Sequence, residues 1–250
     1  MTAATQTPAD SSAVTQDYLK AVWAASEWGG KGASITGLAR RMGVAPSTAS
    51  ENVARLVEAG LLEHAPYRAV TLSDRGRRLA RAMVRRHRLL ETYLVAALGF
   101  EWDEVHAEAE VLEHAVSDRL LSALDAALGH PARDPHGDPI PAADGSVVVP
   151  ALCALETLQI GQSGVVGRIR DDPALLKQLT RAGIGLDTRI VVFGRDGSED
   201  GRPTSSVRAA RPEGDPAADA VDAVVPAGSL WVLASSEPAE TRPQSSTLGL

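Results

Sequence analysis

The sequence predicts a mainly α chain that ends in a small β domain, on three observations. Apolar residues recur at helical spacing from Val14 to Leu128. Pro and Gly then punctuate a polar stretch from Pro131 to Pro150. The remainder breaks into short β-like runs separated by Gly. At 250 residues the chain can bury a genuine core, in one large domain or two to three small ones. The boundaries read as a disordered tail over 1–12, a winged helix-turn-helix over 13–75 and a helical dimerisation and metal-binding domain over 76–135. A Pro/Gly linker over 136–150, a barrel-like β domain over 151–235 and a second disordered tail over 236–250 complete the division.

The elements follow from local chemistry. Val14, Tyr18, Leu19, Val22 and Trp23 are helically spaced, which places Asp17 in the first turns of a first helix ended by Gly29-Gly30-Lys31-Gly32. Ile35, Leu38, Ala39 and Met42 mark a second helix from Ser34, stopped at Gly43. Pro46 opens a third, buried through Val53, Leu56 and Val57 and closed at Gly60. Two short helices around a tight turn make a helix-turn-helix, and the stretch Leu62 to Leu72, with a Pro-Tyr-Arg tip, reads as its wing. A long helix runs from Ser73 to Leu98, and a further one opens at Glu101-Trp102-Asp103-Glu104. The apolar side continues through Leu120, Leu121, Leu124 and Leu128, a candidate dimer surface. Beyond Pro150 the runs Leu152–Ile160, Val165–Ile169, Arg189–Phe193 and Leu230–Leu233 read as strands. Pro173–Arg181 reads as a short helix and the segment from Arg195 to Asp219 as a long polar loop.

Charge is distributed unevenly. The net charge is -7, yet eleven arginines face four acids between Ser34 and Arg88, and nine acids face one arginine between Leu89 and His130. A basic segment followed by an acidic one suggests a phosphate-binding part joined to a cation-binding part. In a winged helix the N-terminal half of the recognition helix enters the major groove. Pro46, Ser47, Thr48, Ser50 and Asn52 are then placed to read bases, and Arg40, Arg41, Arg55 and Arg68 to hold phosphates of double-stranded DNA. No apolar run approaches the roughly 20 residues of a membrane span, and the N-terminus lacks a basic start followed by an apolar core, so a cytoplasmic protein without membrane contact is expected. The single Cys153 lies in an apolar run and reads as a buried structural thiol.

The acidic segment holds the densest chemistry. At about 100° per residue, His106, Glu110, Glu113 and His114 share one helix face. Carboxylates in such a pattern suit a solvated surface, whereas two histidines interleaved with them suit a divalent transition ion, and spacing leaves both open. His87 and Glu91 form an i, i+4 pair on the preceding helix, and an antiparallel turn brings them near His106.

The order of a winged helix, Arg86-His87-Arg88-Leu89-Leu90-Glu91, then Trp102 to Glu110 with Glu113-His114, then Asp138-Pro139-Ile140-Pro141, closely resembles the diphtheria toxin repressor family over residues 13 to 142. These are metal-dependent transcriptional repressors, and the chain is most similar to their three-domain manganese-responsive members. The resemblance extends by pattern to a C-terminal SH3-like (FeoA-like) module. It implies two metal ions per subunit: a primary site of Asp17, Glu110, Glu113 and His114, and an ancillary site of His87, Glu91 and His106, completed from the SH3-like module by Asp172 or by Asp171. It also implies a homodimer, a palindromic operator and no small organic substrate.

Iron regulators of the family place sulfur at the positions of Asp17 and Glu110. Carboxylates there make a harder donor set that favours Mn(II), with Fe(II) as the alternative. Lys20 stands where two-domain manganese regulators carry another acid, and while protonated it cannot ligate. An ion held by Asp17 and the later ligands would tie the first helix to the dimerisation segment and so set the spacing of the two recognition helices. A metallohydrolase is the remote alternative, since neither a nucleophile nor an oxyanion donor set is visible in the sequence.

Overall fold

The computed structural model describes residues 11–65, 67–195, 197–199, 201–210 and 222–238. They form two compact units. One comprises the chain up to Leu98 with His106–Asp134 and Pro139–Val148; the other comprises Gly99–Val105, Pro135–Asp138 and the chain from Val149 onward. Most of both expected tails lies outside the described residues. The exceptions are ordered: Ser12 caps the first helix, and residues 236–238 end the last strand.

In the first unit α1 (Ala13–Ser26) starts where the Ser12 hydroxyl accepts from the Thr15 amide, and a single 3-10 turn (Glu27–Gly29) follows it. α2 (Ile35–Met42) is capped by Ser34, which accepts from Gly37 N at 3.0 Å, and ends at Gly43, whose φ of 64° needs a residue without Cβ strain. α3 (Pro46–Glu58) begins at the Pro whose missing N–H costs nothing there. β1 (Leu62–Glu63) and β2 (Thr71–Leu72) pair antiparallel, Leu62 opposite Leu72, and form the expected wing. Tyr18, Leu19, Val22, Leu38, Val53, Leu56, Leu62, Val70 and Leu79 bury into one core, so α1 packs directly on the helix-turn-helix.

α4 (Asp74–Leu98) leaves that core and runs for 25 residues, or about 37 Å at the usual rise. Its start is set by Gly76: a Cβ there would meet the Leu61 carbonyl oxygen at 1.9 Å, so only glycine allows the helix to approach the end of α3 so closely. α5 (Val105–Leu112) and α6 (Asp118–Ala127) follow, the latter capped by Ser117. Three arginines of α4 hold this end. Arg85 donates to Asp125 at 2.8 Å and to the Pro141 carbonyl, Arg86 to Asp118 and the Val116 carbonyl, and Arg88 to Glu27 and the Pro139 carbonyl. The stretch read as Pro/Gly punctuation is therefore packed: Asp134 and Ile140 are buried, and Ile140 N donates to Ala132 O.

The second unit is an antiparallel sheet. Its strands are β3 (Cys153–Ala154), β4 (Gln162–Ile169), β5 (Arg189–Gly194), β6 (Ser198–Glu199), β7 (Arg202–Ala209), β8 (Ala223–Pro226) and β9 (Leu230–Pro238), ordered β3-β9-β4-β5-β7-β6 with β8 also on β7. α7 (Pro173–Arg181) packs Leu175, Leu176 and Leu179 into the same core as Val166, Ile169, Ile190 and Val232. Two expectations are corrected. Of the segment read as a loop from Arg195 to Asp219, the part up to Ala209 holds β6 and β7, while 211–219 lie outside the described residues; Arg202–Ala209 is rich in Ser and Thr, and its strand identity comes from pairing with β5 and β8, which buries Thr204, Ser205 and Val207. The run Leu152–Ile160 keeps only two strand residues before a 3-10 turn at Leu155–Thr157.

Gly76→Ala should destabilise the chain by roughly 1–3 kcal/mol, the usual cost of forcing atoms into a packed contact, as read by denaturant unfolding. A second outcome concerns Asp125. Burial raises its pKa, but His130 and Arg85 outweigh that and hold its carboxyl below the usual range. Because the folded-state value is depressed, the contribution is present above the unfolded value near about 3.9 and lost as pH falls through the folded one. Asp125→Ala should therefore cost about 1–2 kcal/mol at neutral pH, and the difference from wild type should shrink below about pH 4.

Candidate metal centre

Four chain segments of the first unit converge on one cluster. α1 supplies Gln16, Asp17 and Lys20, α4 supplies His87 and Glu91, α5 supplies His106 and Glu110, and the turn after α5 supplies Glu113 and His114. The sequence reading put Glu113 and His114 on the helix face itself. The helix instead ends at Leu112, and the turn drives Glu113 to complete burial while aiming His114 at α1.

The cluster has two lobes. In one, ligand atoms of Asp17, Glu113 and His114 lie within 4.8 Å of one another, with His114 Nε2 3.1 Å from Asp17 Oδ1 and 3.6 Å from Glu113 Oε1. In the other, His87, His106 and Glu110 do the same, and Glu91 Oε1 touches both His87 Nε2 at 2.9 Å and His106 Nδ1 at 3.1 Å. Glu110, expected in the first set, stands between the two: 3.6 Å from His106 Nε2 and held at 2.9 Å by the same Lys20 that holds Glu113. Asp172 caps α7 and accepts from Ala174 N and Leu175 N, and Asp171 Oδ1 is 3.9 Å from His136 Nε2.

The first lobe has the lone-pair arrangement of a metal site. Gln16 Nε2 donates to the Ser11 carbonyl at 2.9 Å, which turns Gln16 Oε1 toward His114 Nδ1 at 2.7 Å. That oxygen only accepts, so Nδ1 carries a proton, and Nε2 is the nitrogen left facing Asp17. Asp17 Oδ1 is buried and accepts no hydrogen bond. A buried carboxylate oxygen and an imidazole nitrogen at this distance can share a cation, and Gln16 fixes the imidazole as residues behind metal-bound histidines do. Burial raises the Asp17 pKa, partly offset by His114 and Lys20.

Elsewhere the carboxylates share what cations there are. Lys20, itself buried, donates to Glu113 Oε1 at 2.6 Å, Glu113 Oε2 at 2.7 Å and Glu110 Oε1 at 2.9 Å. Burial works against the His87 imidazolium, but Glu91 and Glu113 outweigh it and push its pKa up to about 9. Burial likewise raises Glu110, and Lys20 more than reverses this. Sequence reasoning missed Gln16; its signal was its position one turn before Lys20 on α1.

On α3, Ser47, Thr48 and Ser50 are exposed with Pro46, and Arg40, Arg41, Arg55 and Arg68 are exposed around them. Asn52 is half-buried and tied to its own helix, donating to Thr48 O and accepting from Arg55.

Residues 10–70 match the iron dependent repressor N-terminal DNA binding domain and residues 73–142 the iron dependent repressor metal binding and dimerisation domain. The chain is 33% identical over 195 residues to the iron-dependent repressor IdeR of Mycobacterium leprae, covering 71% of this chain and 83% of that protein. It is 30% identical over 200 residues to the diphtheria toxin repressor of Corynebacterium diphtheriae, covering 73% and 85%. Among solved structures it is similar to a manganese-dependent transcriptional repressor in complex with manganese, at 49% identity and a TM-score of 0.77 over 88% of this chain and 100% of that one. The structure of ScaR with bound Cd2+ is similar at 29% identity and a TM-score of 0.71, covering 88% of this chain and 99% of that one. A winged helix, a cluster of histidines and carboxylates on the helices behind it and these matches together place the chain in the iron-dependent, or diphtheria toxin, repressor family of metal-dependent DNA-binding transcriptional repressors, which are not enzymes.

Proposed function

We propose that this repressor responds to Mn(II), held at a primary site by Asp17, Glu113 and His114 with Glu110, and at an ancillary site by His87, Glu91 and His106. The observation that carries the reading is the convergence of Asp17, Glu113 and His114, with His114 Nε2 3.1 Å from Asp17 Oδ1 and 3.6 Å from Glu113 Oε1. The donor set is oxygen and imidazole without sulfur, which matches manganese better than softer ions. The manganese-dependent repressors among the similar structures support the same choice. Fe(II) is the second reading, favoured by the names of the sequence relatives.

The bound ion supplies two positive charges between α1 and the turn after α5. Asp17 ties down α1, whose Tyr18 and Leu19 sit in the core shared with Val53 and Leu56 of α3. Glu113 and His114 tie down the segment that leads to α6. In a homodimer, fixing α1 against that segment favours one spacing of the two recognition helices on a palindromic operator. Ser47, Thr48 and Ser50 face the bases and Arg40, Arg41, Arg55 and Arg68 the phosphates, within the cytoplasm where the DNA lies. The genes controlled are those of metal homeostasis.

Asp17→Ala and His114→Ala should each abolish the gain in operator affinity on adding Mn(II), a coupling of about 5–150-fold, in a titrated DNA-binding assay; undiminished metal dependence would sink the primary-site assignment. The same titration with Fe(II) under reducing conditions separates the two metals. Arg68→Ala should weaken binding to all sequences alike and lower the salt slope by about 1, measured by binding at several salt concentrations.

A further inference from the structure

Lys20 is the cation already in the site. It is 7% exposed, and Glu113, against which it lies, is 0% exposed. Both oxygens of that carboxylate are engaged: Oε1 by Lys20 at 2.6 Å, Oε2 by Lys20 at 2.7 Å and by His87 Nδ1 at 2.6 Å. The same ammonium holds Glu110 Oε1 at 2.9 Å and stands 3.3 Å from His87 Nδ1, so it touches both lobes. Lys20 and Asp17 also leave the same helix one turn apart, so the lysine links α1 to the turn after α5 at the carboxylate a metal would use.

We infer that Lys20 is a tethered competitor of the metal ion: it neutralises Glu113 and Glu110 in the metal-free chain, and its displacement from them sets the Mn(II) concentration at which the repressor switches. This rests on the primary-site reading above. A buried carboxylate without a proton, hydrogen bonds or a counter-charge is costly. Lys20 offsets that cost without metal, which lets the metal-free chain fold. A divalent ion entering between Asp17, Glu113 and His114 needs oxygens that Lys20 holds, and it also meets a positive charge a few ångströms away. Both effects weaken binding.

The test compares wild type with Lys20→Gln, Lys20→Arg and Asp17→Ala, reading Mn(II) affinity by chelator competition from the metal-loaded protein and thermal unfolding with and without Mn(II). Removing the charge should tighten Mn(II) binding at the primary site by about tenfold or more, lower the metal-free unfolding temperature and enlarge the rise in it on adding Mn(II). Lys20→Arg, which keeps the charge, should bind no more tightly than wild type. The affinities are compared at a temperature at which the unfolding curves show metal-free Lys20→Gln still folded, because an unfolded metal-free state would subtract its folding cost from the apparent affinity. Unchanged or weaker binding by Lys20→Gln, alongside weakened binding by Asp17→Ala, overturns the competitor alone. Wild type that fails to bind Mn(II), or Asp17→Ala that binds it unchanged, overturns the primary site and the competitor together.

Discussion

Glu113 is the residue on which the rest of the centre turns. A carboxylate with no contact to water carries a desolvation cost of several kcal/mol unless charges or hydrogen bonds meet it. Two segments meet it on the turn after α5: α1 through Lys20 and α4 through His87. Because that turn follows directly on α5, burying Glu113 also sets where His114 points. The assembly is thus both the electrostatic neutralisation of one side chain and the frame of the candidate metal site.

The frame reaches the DNA-reading face through helices rather than loops. α1 carries the cluster residues Gln16, Asp17 and Lys20 on one side and buries Tyr18, Leu19 and Val22 in the winged-helix core on the other. α4 begins against Leu61, at a contact that only Gly76 permits, and reaches the cluster at His87 and Glu91. Two helices therefore join the candidate metal centre to the recognition helix, the kind of contiguous packing through which a local change in charge can bias a larger rearrangement.

Charge is partitioned by burial as much as by position. Of the arginines that made the middle of the sequence basic, Arg85, Arg86 and Arg88 turn inward and bind Asp125, Asp118 and Glu27, along with backbone carbonyls. The cations left facing solvent are those around the helix-turn-helix and wing, among them Arg40, Arg41, Arg55 and Arg68. The basic footprint is thereby smaller than the sequence count and concentrated on the DNA-reading part.

The sequence by itself determined the helices, their caps and the helix-turn-helix, because Ser34, Gly43, Pro46 and the apolar spacing act locally and need no partner to be read. It also named most of the cluster, since histidines interleaved with carboxylates at helical spacing are a rare pattern. It left out Gln16, misjudged the polar strand Arg202–Ala209, and placed Glu113 and His114 on the helix face rather than beyond its end. Only the tertiary structure decided that Glu110 stands within reach of both His106 and Lys20, that Gln16 accepts from His114 Nδ1, and that Lys20 occupies the carboxylates between the lobes. The physical reason is common to all of these. Hydrogen-bond partners and counter-charges are chosen across dozens of residues by whichever group is buried beside them, and no local spacing encodes that choice.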